Sequence, residues 1–174
     1  MIRVIIIIFH LKNDSIEWVK TMNLRVIIED KYKQAIKAKK TIEVNTLRLI
    51  KSAIKDKDIA FRSSGKNDTI GDSEILILLQ NLIKQRKDSI NSFQSAARDD
   101  LIAVEQGEID VIFQFLPQQM TEYETEVLIN KIIQDNDFNT LKDMGDLMNN
   151  LKTHYVGSVD MALAGKIAKD KLGN

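Results

Sequence analysis

Hydrophobic residues recur every three or four positions along most of the chain, beginning at Met22. This spacing predicts helices that bury one face, and no segment beyond Met22 alternates as a strand does. We therefore predict an all-α protein, in which the first two segments form one interrupted helix or two consecutive helices. The predicted ranges are 23–38, 41–62, from Asp72 or Ser73 to about 97, and about 100–115, 122–135, 140–152 and 159–172.

A single proline, Pro117, divides this helical pattern. Proline lacks a backbone N–H and biases the residue before it away from helix, so we expect a helix to end just before it. Thr121 stands three residues before Glu124, the pattern of a capping box in which each side chain caps the other residue's backbone N–H. We predict an N-terminal helical hairpin domain over 22–117 and a small three-helix C-terminal tail domain over 118–174.

Short polar side chains and glycines mark further details of the predicted helices. We expect Asp72 or Ser73 to cap the long central helix, and Asp99 to cap the helix that follows. Gly145 and Gly165 lie inside predicted helices of the tail domain, where glycine lowers the helix propensity. We expect both glycines to permit close contact between helices.

The first 21 residues stand apart from the helical pattern. Val4–Phe9 is strongly apolar, but it is too short to span a membrane or to form the apolar region of a secretory signal. We interpret residues 1–21 as an N-terminal appendage, consistent with a mis-assigned start that places the true one at Met22. The alternative is a short strand or helix that packs on the body of the protein.

The chain lacks several common sources of catalytic and metal-binding chemistry. It contains no cysteine and only two histidines, His10 and His154, so neither disulfides nor a histidine-rich metal cluster is expected. It has no glycine-rich phosphate loop and no G-x-G-x-x-G segment. His154 lies four residues before Ser158, but a loop and helix-cap position explains Ser158 better than a nucleophile–base pair does. We predict no catalytic residue, no metal and no cofactor.

One arginine lies within the apolar stripe of the long central helix. Arg86 falls inside the arc of about 100° that the hydrophobic side chains of this helix occupy. Glu105 and Glu108 lie within the apolar stripe of the next helix. A hairpin turn between the two helices brings Arg86 within about one helical turn of Glu108. Because a buried guanidinium needs a carboxylate partner, we predict an ion pair of Arg86 with Glu108 or Glu105.

These three residues have a catalytic and a structural interpretation. The two carboxylates could perform general acid–base chemistry, or the ion pair could fix the register of the two helices. A seam between helices offers a substrate no cavity that the sequence indicates. We therefore favour the structural ion pair.

The formal net charge of zero conceals an uneven distribution. Residues 22–67 hold 12 Lys or Arg and 5 Asp or Glu, whereas residues 68–121 hold 4 and 9, and residues 122–174 hold 6 and 9. One pole of the protein is therefore basic, and the remainder is mildly acidic.

Four cations of the basic pole share one face of the second predicted helix. On an ideal helix Arg48, Lys51, Lys55 and Arg62 fall within about 60° of each other. Such a stripe could lie along the phosphates of a nucleic acid. It could also be a solvated face or contact an anionic membrane. No aromatic side chain interleaves with these cations along the helix, which argues against the readout of single strands by base stacking.

Several segments resemble the YqeY-like family, in the family's order, across residues 22–174. The segments that carry the resemblance are Thr46–Lys55, Lys84–Ile90, Ala97–Leu101, Glu105 with Glu108–Ile109, Leu116–Gln119, Asp143–Met148 and Gly157–Met161. Residues 1–21 have no counterpart in the family, which supports Met22 as the true start.

The resemblance carries implications for function. The family is similar to the helical and tail domains of GatB, the subunit of a tRNA-dependent amidotransferase that modifies charged tRNA. Related domains are appended to some glutaminyl-tRNA synthetases, where they help to hold tRNA. The family often carries the description of a carbon–nitrogen ligase with glutamine as amido-nitrogen donor. The catalytic cradle of GatB, however, lies in a domain that this chain does not resemble.

We therefore predict an accessory tRNA-binding or amidotransferase-associated helical module with no intrinsic catalysis. The expected partners are tRNA and components of an amidotransferase or an aminoacyl-tRNA synthetase, with no membrane. The expected location is the cytoplasm or, in a eukaryote, the mitochondrial matrix. The RNA-binding candidates are Arg48, Lys51, Lys55 and Arg62 and, by resemblance to the GatB tail, Lys152, His154, Lys166 and Lys169.

Two other functions stay open on the sequence alone. The chain could take part in the transfer of an amide nitrogen from glutamine. It could also be a protein–protein adaptor that has no contact with RNA.

Overall fold

A computed structural model of the chain describes residues 23–63 and 68–173. Every regular element in these ranges is helical, which confirms the predicted all-α fold. The predicted appendage, residues 1–21, lies outside the described residues. The helices are α1 Leu24–Lys37, α2 Thr41–Ser63, α3 Asp72–Ser95, α4 Asp99–Phe113, α5 Glu122–Asp135, α6 Met144–His154 and α7 Met161–Leu172, and a 3-10 turn over Leu141–Asp143 precedes α6.

Contacts group the described residues into two compact units, one over residues 23–116 and the other from Pro117 onward. The first unit contains α1 to α4, and the second contains α5 to α7. That each unit folds as a separate domain stays a prediction.

The first unit is built around an apolar core to which all four helices contribute. α3 and α4 pack side by side, and α2 packs against both α1 and α4. Burying one leucine or isoleucine side chain stabilises a fold by about 1.5–3 kcal/mol, so the core decides which faces of α2 stay in solvent. The most deeply buried members of the core are Leu24, Ile28, Leu47, Ile50, Ile75, Leu76, Leu79 and Ile112.

The first two predicted segments are two separate helices, α1 and α2. Between them Lys39 adopts a left-handed φ of 55°, which a continuous α-helix cannot contain. The backbone N–H of Lys40 donates to the carbonyl of Ala35 at 3.1 Å, which satisfies a carbonyl at the end of α1. The next helix then starts at Thr41.

Asp72 caps a helix other than the predicted one. α3 begins at Asp72, and its N-cap is Gly71, whose backbone N–H donates to Glu74 Oε2 at 3.1 Å. The Asp72 carboxylate instead accepts from the backbone N–H of Leu24, with both oxygens at 3.2 Å. The prediction that Asp72 or Ser73 caps α3 is therefore wrong, because Asp72 serves the start of α1, 48 residues earlier.

Asp99 is likewise the first residue of α4 and not its cap. The N-cap is Arg98, whose guanidinium pairs with Asp100 at 2.8 Å. Asp99 and Asp100 both lie in the first turn, where a negative charge favours the positive end of the helix dipole. The two acidic residues thus stabilise the helix start through the dipole. The predicted cap, Asp99, lies one residue after the actual N-cap.

The predicted capping box is present at the start of α5. The backbone N–H of Glu124 donates to Thr121 Oγ1 at 3.2 Å, and the backbone N–H of Thr121 donates to Glu124 Oε2 at 2.8 Å.

The three helices of the second unit enclose an apolar core of their own. Its buried members are Leu128, Ile129, Ile132, Leu147, Leu151, Tyr155, Val159, Ala164, Ala168 and Leu172.

Asp160, and not Ser158, caps the last helix. The Asp160 carboxylate accepts from the backbone N–H groups of Ala162 at 2.9 Å and Leu163 at 3.2 Å. Ser158 is buried, and its carbonyl accepts from the backbone N–H of Met120 at 2.8 Å. Ser158 therefore fixes the segment before α5 onto the loop before α7.

Neither Gly145 nor Gly165 is required for close packing, contrary to the prediction. A Cβ built on Gly145 would meet no other atom within 4 Å. A Cβ on Gly165 would meet only the terminal methyl of Met148, at 3.9 Å, which is an ordinary contact. Both positions have room for a side chain.

Candidate nucleic-acid interface

Arg86 of α3 forms an ion pair with Glu108 of α4. Its Nε donates to Glu108 Oε2 at 2.7 Å, and its Nη2 lies 2.6 Å from the same oxygen. Nη1 donates to the carbonyl of Leu82 at 3.2 Å. The Arg86 side chain is 8% exposed and that of Glu108 is 16% exposed, so the pair lies in the seam between the two helices.

Glu105 lies beside this pair without a hydrogen bond to Arg86 in the described structure. Partial burial raises the pKa of Glu105, and the neighbouring charge of Glu108 raises it further, while Arg86 lowers it. Glu108 already accepts a hydrogen bond from the guanidinium of Arg86, which keeps it from acting as an acid or base beside Glu105. This geometry favours a structural role for Arg86 and Glu108 over acid–base chemistry.

A groove of about 330 Å³ lies between α2 and α3, and neither Arg86 nor the two glutamates line it. Its lining is mostly apolar, with Lys57, Glu74 and Asn81 as the polar members. The apolar members are Ala60, Phe61, Ile70, Ile77 and Leu78. This groove offers apolar contact rather than a set of convergent catalytic groups.

The four predicted cations lie along α2, away from the side that packs into the core. Arg48, Lys55 and Arg62 are exposed. Arg62 Nε donates to the carbonyl of Asp58 at 3.3 Å, one turn earlier. In the described parts of the chain, neither Arg48 nor Lys55 has an ion-pair partner. The guanidinium of Arg48 and the ammonium of Lys55 are therefore available to bind an anion.

Lys51 differs from its neighbours because α1 supplies it with two partners. Its Nζ lies 2.6 Å from Glu29 Oε2 and 4.3 Å from the centre of the Tyr32 ring. The hydrogen bond from Lys51 lowers the pKa of Glu29, while partial desolvation opposes this effect. The basic face therefore contains a carboxylate and an aromatic ring that sequence analysis of α2 alone did not find.

The sequence of α1 predicts part of this cluster but not its position beside Lys51. Glu29 and Tyr32 are three residues apart and so share a helix face. Placing that face beside Lys51 requires the register of α1 against α2, which periodicity does not give. No aromatic side chain interleaves with the cations along α2 itself, as predicted, but α1 adds the Tyr32 ring to the surface that they share.

Other lysines of the basic pole have acidic neighbours. Lys33 Nζ lies 3.9 Å from Glu29 and 3.8 Å from Asp30, and Lys40 Nζ lies 2.7 Å from Glu43. These exposed pairs contribute little to stability and leave the pole positive overall.

The structure does not gather the four tail candidates into one cluster. Lys152, His154, Lys166 and Lys169 are all exposed. Lys166 and Lys169 lie about 60° apart on α7, whereas Lys152 and His154 lie about 160° apart around α6. Lys152 and His154 therefore lie on nearly opposite faces of α6.

The described residues contain neither a candidate membrane span nor a candidate metal site. No helix there has both the length and the apolar character needed to cross a membrane. No group of three or more His, Asp or Glu side chains there could hold a metal ion.

Comparison with known proteins assigns the chain to a family. Residues 25–172 match the family described as YqeY-like protein. The chain belongs to the YqeY-like family. The match covers the four helices of the first unit and the three of the second almost completely.

Individual relatives share part of this length. The chain is 36% identical over 101 residues to the protein named Altered inheritance of mitochondria protein 41, mitochondrial, of Saccharomyces cerevisiae, which covers 58% of this chain and 52% of the relative. It is 34% identical over 117 residues to the protein of the same name from Lachancea thermotolerans, which covers 64% of this chain and 60% of that relative. The chain thus matches little more than half the length of these curated relatives.

Proposed function

We propose that this YqeY-like chain is an accessory tRNA-binding helical module, associated with an amidotransferase or an aminoacyl-tRNA synthetase, with no catalysis of its own. The observation that carries the proposal is the exposed basic face of α2, where Arg48 and Lys55 project without an ion-pair partner in the described structure. Phosphate contacts by Lys and Arg supply most of the non-specific affinity of proteins for nucleic acids.

The distribution of charge supports recognition of RNA by shape. The segment 22–67 is basic, whereas residues 68–121 and 122–174 are acidic overall. An acidic remainder opposes binding to polyanions in arbitrary orientations, so only an RNA that presents its backbone to α2 gains the contacts. Contacts to phosphates and ribose read the shape of RNA rather than its base sequence.

The proposed lack of catalysis rests on the state of the best acid–base candidates. Glu108 is held by Arg86, and Glu105 does not line the groove between α2 and α3. The chain also contains no cysteine that could act as a nucleophile on glutamine.

The proposal is tested by measuring tRNA affinity against salt concentration. Arg48→Glu with Lys55→Glu should weaken binding at least tenfold at low salt and flatten the salt dependence, because two phosphate contacts are lost. Lys84→Glu with Lys131→Glu makes the same change in net charge at exposed positions outside the basic face. Equal losses from both double variants, or no tRNA binding by the wild type at low salt, would contradict the proposal.

A protein–protein adaptor is the second candidate, and the groove between α2 and α3 favours it. Ile77 lines this groove and is 39% exposed. An exposed apolar side chain in a mostly apolar groove fits the apolar face of a partner helix. An adaptor without RNA contact would leave tRNA unbound at every salt concentration.

We also propose the cytoplasm or the mitochondrial matrix as the site of action. Support comes from the names of the yeast relatives, which describe those proteins as mitochondrial. Fractionation of cells that express the full chain with a C-terminal tag would test this proposal.

A further inference from the structure

A carboxylate occupies the middle of the basic face. Glu29 Oε2 lies 2.6 Å from Lys51 Nζ, which also lies 4.3 Å from the centre of the Tyr32 ring. Arg48 and Lys55 lie about one helical turn before and after Lys51, so this triplet of cations spans about 10 Å along α2. Glu29 therefore contacts the central cation of a row that could follow a phosphate backbone.

We propose that Lys51, beside the Tyr32 ring, forms a phosphate subsite of the RNA interface, and that Glu29 fills this subsite until an RNA phosphate displaces it. The inference rests on the proposed function, since it names a subsite and a competitor within the same basic face. A carboxylate and a phosphate both accept a charge-assisted hydrogen bond from an ammonium group, so either can occupy the same position.

Displacement of Glu29 by RNA is physically reasonable because the ion pair is open to solvent. The Lys51 side chain is 36% exposed and the Glu29 side chain is 40% exposed, and water weakens such pairs. An RNA backbone brings neighbouring phosphates to Arg48 and Lys55 at the same time, whereas Glu29 supplies one carboxylate. The displaced carboxylate also keeps a second cation, because Lys33 Nζ lies 3.9 Å from its other oxygen.

The test compares two substitutions that remove one negative charge from adjacent positions of α1. Glu29→Gln frees Lys51, whereas Asp30→Asn removes a carboxylate that pairs, in the described structure, with Lys33 at 3.8 Å. We measure the affinity of the full chain for bulk transfer RNA as a function of salt. Glu29→Gln should tighten binding about threefold but leave the slope of log affinity against log salt nearly unchanged, because a phosphate contacts Lys51 in both complexes. Asp30→Asn should change the affinity by less than about 1.5-fold and leave the slope unchanged.

A double-variant cycle locates the effect at Lys51. In a Lys51→Gln background the gain from Glu29→Gln should disappear, because no ammonium is left to release. Equal gains from Glu29→Gln and Asp30→Asn, or a gain that persists without Lys51, would overturn the subsite while leaving tRNA binding intact. Absence of transfer RNA binding by all variants would overturn the proposed function and the subsite together. Binding to phosphatidylserine–phosphatidylcholine vesicles but not to transfer RNA would overturn the assignment to RNA.

Discussion

The guanidinium of Arg25 forms two parallel hydrogen bonds with the carboxylate of Asp58, at 2.8 and 2.7 Å. The same carboxylate accepts from the backbone N–H of Ile70 at 2.9 Å, and Arg25 also donates to the Ile70 carbonyl at 2.8 Å. These bonds join α1 and α2 to the segment that leads into α3. Because α1 carries Glu29 and Tyr32, this junction also helps to hold them beside Lys51.

We predict that Asp58→Ala destabilises the first unit by about 2–4 kcal/mol. The change leaves the Ile70 N–H without its acceptor and Arg25 without its carboxylate, and the Asp58 side chain is only 10% exposed. Urea unfolding followed by circular dichroism measures the loss. Asp56→Ala, at an exposed position of the same helix, is the control and should have little effect. An Asp58→Ala protein as stable as the control would contradict the role of this junction.

The same carboxylate predicts a dependence of stability on pH. The hydrogen bonds from Arg25 lower the pKa of Asp58 in the folded protein, against the opposing effect of burial. Its contribution is therefore complete above the unfolded pKa of about 3.9 and is lost as pH falls through the lower folded value. The difference in unfolding free energy between wild type and Asp58→Asn should be constant from pH 7 to 5 and shrink below about pH 4. A difference that grows on acidification would have the wrong sign for a depressed pKa.

Arg86→Met should destabilise the protein by about 3 kcal/mol, because Glu108 would keep a largely buried charge without its partner. The double variant Arg86→Met with Glu108→Leu should recover much of that loss. Arg98→Met removes an exposed guanidinium that pairs with Asp100 and should leave the melting temperature unchanged. If Arg86→Met melts like the wild type, Arg86 does not support the seam between α3 and α4.

Helical periodicity and cap chemistry predicted much of the fold. The range 122–135 and the capping box at Thr121 follow from local sequence, and the structure has both. In α6 Leu147 and Leu151 are fully buried, whereas Met144 and Met148 are only partly buried against the same core. Methionine and leucine have similar apolar character, so hydrophobicity alone does not decide which of two adjacent stripes packs inward.

Contacts between distant segments could not be predicted in the same way. Asp58 and Arg25 are 33 residues apart, and Asp72 and Leu24 are 48 residues apart. Arg25, Asp58 and Asp72 each have an acceptable local role as a surface charge or a helix cap, so nothing in the local pattern required the long-range bonds. Lys51 and Glu29 pose the same problem at the candidate site, because their contact depends on how α1 packs on α2.

Gly145→Ala should stabilise the protein by about 0.5–1 kcal/mol. Alanine has a higher helix propensity than glycine, and the added Cβ meets no atom within 4 Å. Gly157→Ala should have the opposite effect, because Gly157 adopts a φ of 80°, where a side chain is strained. Thermal melts of both variants would give shifts of opposite sign, and a destabilising Gly145→Ala would indicate a contact that the described residues do not include.

A fragment of residues 117–174 should fold without the rest of the chain. Its core is formed by residues of α5, α6 and α7 and of the loop between α6 and α7, with Leu128, Leu147 and Leu151 fully buried. Domains of about 60 residues are marginally stable, so we expect a helical fragment that melts cooperatively at a modest temperature. Leu151→Asp places a charge in this core and should abolish the cooperative transition. This control shows whether the melt of the fragment reports a packed core or only residual helix. A wild-type fragment with no cooperative melt in circular dichroism would show that the second unit needs other parts of the chain to fold.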